Sequence, residues 1–286
     1  MCEGLRMPPR VAAIHDLSCF GRCALSVIIP TLSCLGVQTV PIPTALLSTH
    51  TGGFEGMHFK DLTSDMTNIG AHFDRLGMTF DAIYSGFLGS EAQIEVVSDF
   101  IDRFGKGIPV LIDPVMGDDG VLYSTYNNEM RSGMKALCRK ASMITPNYTE
   151  ACFLTGTAYE PTEEKSEGEI KALGERLLKG LSEYGVPTVV LTGICSHEGV
   201  YTFGMQDGER FLCREERLHQ GYPGTGDIFA SVLLGMMLSG KGFEDSIRTA
   251  SHFTALTIER TMKIHTPVRE GVVLESCLDE LMRMKQ

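Results

Sequence analysis

The sequence predicts an α/β fold in which one mostly parallel sheet is covered by helices on both faces. Short apolar runs alternate with longer stretches of helical periodicity along the 286 residues. Polar residues suited to ligand binding fall at the carboxyl ends of those apolar runs, where open α/β sheets gather their ligands. Neither an internal repeat nor a low-complexity linker interrupts the pattern, so one domain is expected.

In chain order, strands are expected at Val11–Ile14, Thr39–Ile42, Ala82–Ser85, Val110–Ile112, Met143–Thr145, Val189–Thr192 and Val200–Phe203. Helices are expected at Cys23–Leu35, Asp65–Leu76, Glu91–Phe104, Ile170–Tyr184, Ile228–Ser239 and Phe243–Arg260. In the fourth helix Ile170, Leu173, Leu177, Leu181 and Tyr184 recur at helical spacing and make one buried face. Ahead of it, the acidic stretch Thr162–Glu169 reads as a solvated helix start rather than a domain boundary. Residues 1–10 lack the apolar stretch of a signal peptide and are expected to form a flexible tail, leaving 11–286 as the domain.

Composition excludes several function classes. A hydrophobic share of 43% and a charged share of 21% describe a globular chain. The net charge of −11 leaves no basic surplus for nucleic acid. Nine cysteines, scattered without paired spacing, point to a reducing cytoplasm rather than a disulfide framework. Cys19 and Cys23 lack the second pair a zinc site needs. No run is long and apolar enough to span a membrane.

The most informative segment is Gly224-Thr225-Gly226-Asp227, a turn that opens the apolar helix. A helix start leaves backbone N–H groups unpaired at its electropositive end. Two glycines let that backbone approach an anion, and Asp227 stands ready to accept a hydroxyl proton. Such equipment suits phosphoryl transfer to an alcohol. A dinucleotide fingerprint would need a third glycine where Phe229 stands. Gly235 to Lys241 imitates the start of a P-loop, but Gly242 replaces its Ser or Thr and the stretch ends a helix.

Two further segments carry polar groups at strand ends. In Asp113-Pro114-Val115-Met116-Gly117-Asp118 the proline holds Asp113 extended, and the two carboxylates suit a water-mediated Mg²⁺ site as well as an ordinary turn. In Thr145-Pro146-Asn147-Tyr148-Thr149-Glu150, Asn147 and Glu150 have capping-box spacing, with metal or phosphate contact as the alternative. Candidate acceptor-binding loops are His15-Asp16-Leu17-Ser18, Pro43-Thr44 and Ser85-Gly86-Phe87-Leu88-Gly89-Ser90. Phe87 offers an aromatic face there, and His50 is the other histidine in this region.

Taken in order, these segments resemble the pyridoxal kinases of the ribokinase-like superfamily, from Val11 to about Thr266. The resemblance implies a single ribokinase-like kinase domain over 11–286 that phosphorylates the 5′-hydroxymethyl group of pyridoxal, pyridoxine or pyridoxamine with ATP. It also implies a cytoplasmic homodimer, Mg²⁺, and in most members a monovalent cation such as K⁺. By position, Asp227 corresponds to the catalytic base and Gly224, Thr225 and Gly226 to the anion hole. Asp113, Asp118, Asn147 and Glu150 match the metal and phosphate region, and Thr192 and Tyr123 match residues near the nucleotide. Thr44 matches a ring-recognising threonine. Asp16 stands where many members have serine and Phe87 where they have a stacking tyrosine, departures that bear on which vitamer is preferred. The alternatives are a hydroxymethylpyrimidine or hydroxymethylpyrimidine-phosphate kinase, which often carries Cys at the position of Asp227, a sugar or nucleoside kinase, and a non-catalytic B6-binding protein.

Overall fold

The computed structural model describes residues 7–123, 125–218 and 220–285. The first half runs β1 (Arg10–Phe20), α1 (Leu25–Cys34), β2 (Gln38–Thr49), β3 (Phe59–Asp61), α2 (Thr63–Arg75), β4 (Ala82–Ser85), α3 (Glu91–Phe104), β5 (Val110–Ile112), β6 (Gly117–Asp118), β7 (Val121–Leu122) and α4 (Asn128–Cys138). The second half runs β8 (Met143–Ile144), α5 (Tyr148–Thr155), α6 (Glu167–Ser182), β9 (Thr188–Cys195), β10 (Val200–Gln206), β11 (Glu209–Glu215), α7 (Thr225–Leu238), α8 (Phe243–Ile264) and α9 (Leu278–Met284).

One nine-stranded sheet has the order β11-β10-β9-β8-β5-β4-β1-β2-β3. The run from β9 through β2 is parallel, while β10, β11 and β3 are antiparallel additions at the two edges. The expected mostly parallel sheet with helices on both faces is what the chain forms. Successive strand residues point to opposite faces, and β1 shows it. Ala12 and Ile14 enter one core with Met66 of α2, Ile94 of α3, Met130 of α4, Ala151 of α5 and Ile170 of α6. Val11 and Ala13 enter the other, with Ile28 of α1, Leu233 of α7, Phe253 of α8 and Leu281 of α9.

Both long strands near the site exceed expectation. The segments around His15 and Thr44, expected as loops, lie inside β1 and β2. Their polar residues disguise the strands in the sequence, yet His15, Asp16 and Thr44 are all buried. β1 also takes in Arg10, whose amide donates to Asp81 Oδ2 at 2.7 Å.

Two register shifts interrupt the sheet. His15 pairs with Pro43 and Leu17 with Leu46, so Thr44 and Ala45 of β2 together face Asp16 alone. Ile194 pairs with Tyr201 and Leu191 with Phe203, so Thr192 and Gly193 face Thr202 alone. Each is a bulge with one extra residue, a device that re-aims side chains beside functional sites. Gly193 takes the positive φ of 75° that such an irregularity favours.

Candidate active site

Helix α7 begins earlier than its apolar stretch suggests. Gly224 caps it in the left-handed conformation with φ 81°, and Thr225, Gly226 and Asp227 form its first turn. The first intrahelical bond runs from Ile228 N–H to the Gly224 carbonyl at 3.0 Å. Glycine has no side chain with which to cap the preceding amides. Gly226 is exposed, with nothing within 4 Å of where a Cβ would stand. The electropositive end of this helix therefore opens outward from a buried shaft, as an anion cradle requires. Thr225 Oγ1 is turned back to the Tyr222 carbonyl at 3.0 Å, which braces the turn.

Asp227 stands at the same tip. Its side chain is 16% exposed, and its Oδ2 accepts the Ala24 amide at 2.8 Å. Burial pushes its carboxyl up to about 7, with the Ala24 amide opposing and the Asp16 charge adding to the rise. A carboxylate that titrates near neutrality is suited to taking a proton from an alcohol.

Asp113 follows β5 and is buried, and its carboxyl is pushed up by burial and by the negative charge of Asp227. Asp118 is exposed in the short β6–β7 ribbon, where its Oδ1 accepts the Asp119 amide at 3.0 Å. Glu150 is anchored more firmly. Its Oε1 accepts the Met116 amide at 3.1 Å and its Oε2 the Asn147 amide at 2.8 Å. Asn147 Oδ1 accepts the Glu150 amide in return, completing a capping box, and Asn147 Nδ2 donates to the Gly117 carbonyl at 3.0 Å. This pair locks the Met116–Gly117 turn to the start of α5. Tyr123 donates its amide to the Met116 carbonyl at 2.9 Å, and its hydroxyl is pushed up by burial and by Glu150, Asp118, Asp227 and Asp113. Thr192 reaches the region through its amide bond to the Pro146 carbonyl at 2.9 Å and its bridge to Asn147. Among the described residues no group of three or more His, Cys, Asp or Glu is arranged to hold a metal by itself.

The expected acceptor residues are distributed around the β1–β2 bulge. Asp16 Oδ2 accepts the Ser18 hydroxyl at 2.9 Å, and burial raises its carboxyl. Thr44 Oγ1 donates to the Phe87 carbonyl at 3.3 Å, which ties the bulge to the loop after β4. Phe87 is half-buried against the first core rather than standing free. His50 accepts the Gly52 amide at Nδ1, so its Nε2 donates to the Arg269 carbonyl at 2.6 Å.

Two contributors, Ala24 and Gln93, carry no signal in the sequence. Ala24, with φ 49°, supplies the amide on Asp227, and its apolar side chain carries no signal of that role. Gln93 is buried and spans Thr44, Asp61 and Gly89 through three hydrogen bonds of 2.8–2.9 Å. His15, fully buried on β1, stands with Nδ1 3.9 Å from Asp227 Oδ1. Cys213 is buried on β11, and His219 lies outside the described residues.

The chain is similar to known proteins over most of its length. Residues 28–270 match the family described as phosphomethylpyrimidine kinase. A crystallised Bacteroides thetaiotaomicron protein, a candidate phosphomethylpyrimidine kinase, is 37% identical with a TM-score of 0.89, covering 98% of this chain and 96% of its own. Its second crystal form, which contains pyridoxal, gives 38% identity and a TM-score of 0.86 over 96% of both chains. The pyridoxine/pyridoxal/pyridoxamine kinase of Bordetella avium is 26% identical over 85% of this chain and 82% of its own. The hydroxymethylpyrimidine/phosphomethylpyrimidine kinase of Bacillus subtilis is also 26% identical, over 85% of this chain and 87% of its own. The chain belongs to the phosphomethylpyrimidine kinase family, phosphotransferases of ribokinase-like fold that act on a small-molecule hydroxyl.

Proposed function

We propose that the protein transfers the γ-phosphoryl group of ATP to the 5′-hydroxymethyl group of pyridoxal, pyridoxine or pyridoxamine. The observation that carries this reading is the α7 tip, where an open helix start and a carboxylate raised to about 7 stand together. The pyridoxal-containing crystal form of the Bacteroides relative supports a B6 vitamer as the acceptor.

In this mechanism Asp227 orients the alcohol and takes its proton as the oxygen attacks the γ-phosphorus. Amides of the first α7 turn meet the charge on the transferred group, so positioning and electrostatics supply most of the acceleration. Magnesium bound with the nucleotide would spread the phosphate charge, and such an ion needs only one or two protein carboxylates. Asp113, a buried acid beside Asp227, fits that partner, with Asp118 nearby on the ribbon. Glu150 and Asn147 hold the turn between them, while Thr192 and Tyr123 border the nucleotide. Thr44, Asp16, Phe87 and His50 enclose the ring. A monovalent cation such as K⁺, a homodimer and a cytoplasmic location complete the proposal. Among the described residues no helix is long and apolar enough to cross a membrane.

The second reading is phosphorylation of hydroxymethylpyrimidine or its phosphate, favoured by the family description and the Bacillus relative. Asp227, where that subfamily often has cysteine, ranks it behind the first. One phosphorylation panel with the three B6 vitamers and hydroxymethylpyrimidine separates them. A kcat/KM highest for a B6 vitamer supports the proposal, and a preference for the pyrimidine overturns it.

A further inference from the structure

We propose that His15 is a positioning residue for Asp227, donating from Nδ1 to Asp227 Oδ1 when the alcohol occupies the site. This rests on the reading of Asp227 as the base and adds a second anchor to it.

His15 is fully buried, and among the described residues neither ring nitrogen makes a hydrogen bond of good geometry, although the Tyr84 backbone lies near enough to favour the charged ring. A buried imidazole in a folded protein is normally satisfied, and an orphaned one calls for an explanation. Its ring is held on two sides. Tyr84 packs against it edge-on, with ring centroids 4.2 Å apart. At Gly86 a Cβ would come within 2.5 Å of Cε1 and Nδ1, so only glycine leaves that edge of the ring in place.

The restrained nitrogen stands 3.9 Å from Asp227 Oδ1, about 1 Å beyond a good hydrogen bond. Hydrogen bonds of catalytic groups often run long before substrate arrives and shorten in the complex. Burial drives the imidazole down to about 3, so it is neutral at physiological pH and donates without forming an ion pair. The other carboxylate oxygen is already held by Ala24. Two anchors fix the plane of the carboxylate, and each oxygen retains a lone pair for the alcohol. Among the described residues Asp16 and Asp113 are the other charged groups acting on Asp227, and both would repel an unanchored Asp227 carboxylate.

The test compares steady-state kinetics and thermal unfolding of the wild type, His15→Leu, His15→Asn and His15→Gln. Asparagine places its amide near the position of Nδ1, whereas glutamine places it near Nε2. Misplacement of the base predicts that His15→Leu lowers kcat on the order of 10- to 100-fold, with both KM values nearly unchanged. His15→Asn should recover most of kcat and His15→Gln should not. Wild-type kcat in His15→Leu, or equal losses in the asparagine and glutamine variants, would overturn the assignment. Should leucine prevent folding, the asparagine–glutamine comparison decides alone. If the wild type phosphorylates only hydroxymethylpyrimidine, the B6 reading fails, and the same comparison with that alcohol still tests His15.

Discussion

The amide of Ala24 donates to Asp227 Oδ2 at 2.8 Å, joining residues 203 positions apart in the chain. The bond fastens the proposed base to the loop between β1 and α1, the loop that follows the proposed ring-binding strand. Two glycines brace that loop from behind. A Cβ on Gly224 would overlap the Arg22 carbonyl, and one on Gly271 would stand 2.7 Å from it. The first turn of α7, Asp227 and the opening loop therefore form one packed unit.

Gly224→Ala should break that unit. The position combines φ 81° with no room for a methyl group. We expect a loss of about 1–3 kcal/mol, measured by urea unfolding, because strain and overlap act together. Activity should fall with it, since displacing the Arg22–Ala24 backbone also displaces Asp227. By contrast, Gly226→Ala meets open space and should leave stability within about 1 kcal/mol of wild type.

Activity and stability should respond to pH in opposite directions. Asp227 must be ionised to take a proton, so kcat should rise as pH increases through about 7. Its folded value is raised above the ordinary 3.8, so the native state holds this proton more tightly than the unfolded state. The associated stability is complete below about 4 and is lost as pH climbs to about 7, by at most roughly 4 kcal/mol. Asp227→Asn removes this term while keeping an acceptor for Ala24. Its stability relative to wild type should therefore increase from pH 5 to pH 8 in parallel urea titrations. A pH-independent difference would contradict the assignment.

Glu150→Gln should be costly although it removes no bulk. Both carboxylate oxygens accept backbone amides, and an amide side chain turns one acceptor into a donor facing a donor. The expected loss is about 1–3 kcal/mol. Because the Met116–Gly117 turn carries the neighbouring Asp118, the KM for ATP should rise as well, readable in the same kinetic assay.

How much of this was legible depended on whether chemistry and periodicity coincided. The α7 tip stands out because glycines and a carboxylate precede an apolar helix, but Gly224 and Gly226 are poor helix formers and hide its first turn, so the apolar pattern begins only at Ile228. β1 and β2 run beyond their apolar stretches because their buried polar residues break the apolar pattern. Asp207-Gly208, with φ 50° and 87°, is a hairpin signal that could have revealed β11. Met130, Met134 and Leu137 mark α4 at helical spacing, but Gly133 and the polar residues around them weaken the signal. Ala24 could not have been found, since its contribution is a backbone N–H.

Asp16 should govern which ring is accepted. It is buried opposite the Thr44–Ala45 bulge, and among the described residues only the Ser18 hydroxyl donates a side-chain hydrogen bond to it. Asp16→Asn removes the charge and keeps the shape. We expect KM for the preferred vitamer to rise on the order of 10-fold, the scale of one charge-assisted hydrogen bond. KM for ATP should stay the same. Equal vitamer preferences in variant and wild type would remove Asp16 from ring recognition.

The most direct measurement is the rate at which Asp227→Asn forms pyridoxal 5′-phosphate from ATP and pyridoxal, with folding and ATP affinity confirmed. Loss of a general base predicts a fall in kcat on the order of 10²–10⁴ with nucleotide binding intact. Turnover within a few-fold of wild type would contradict the account.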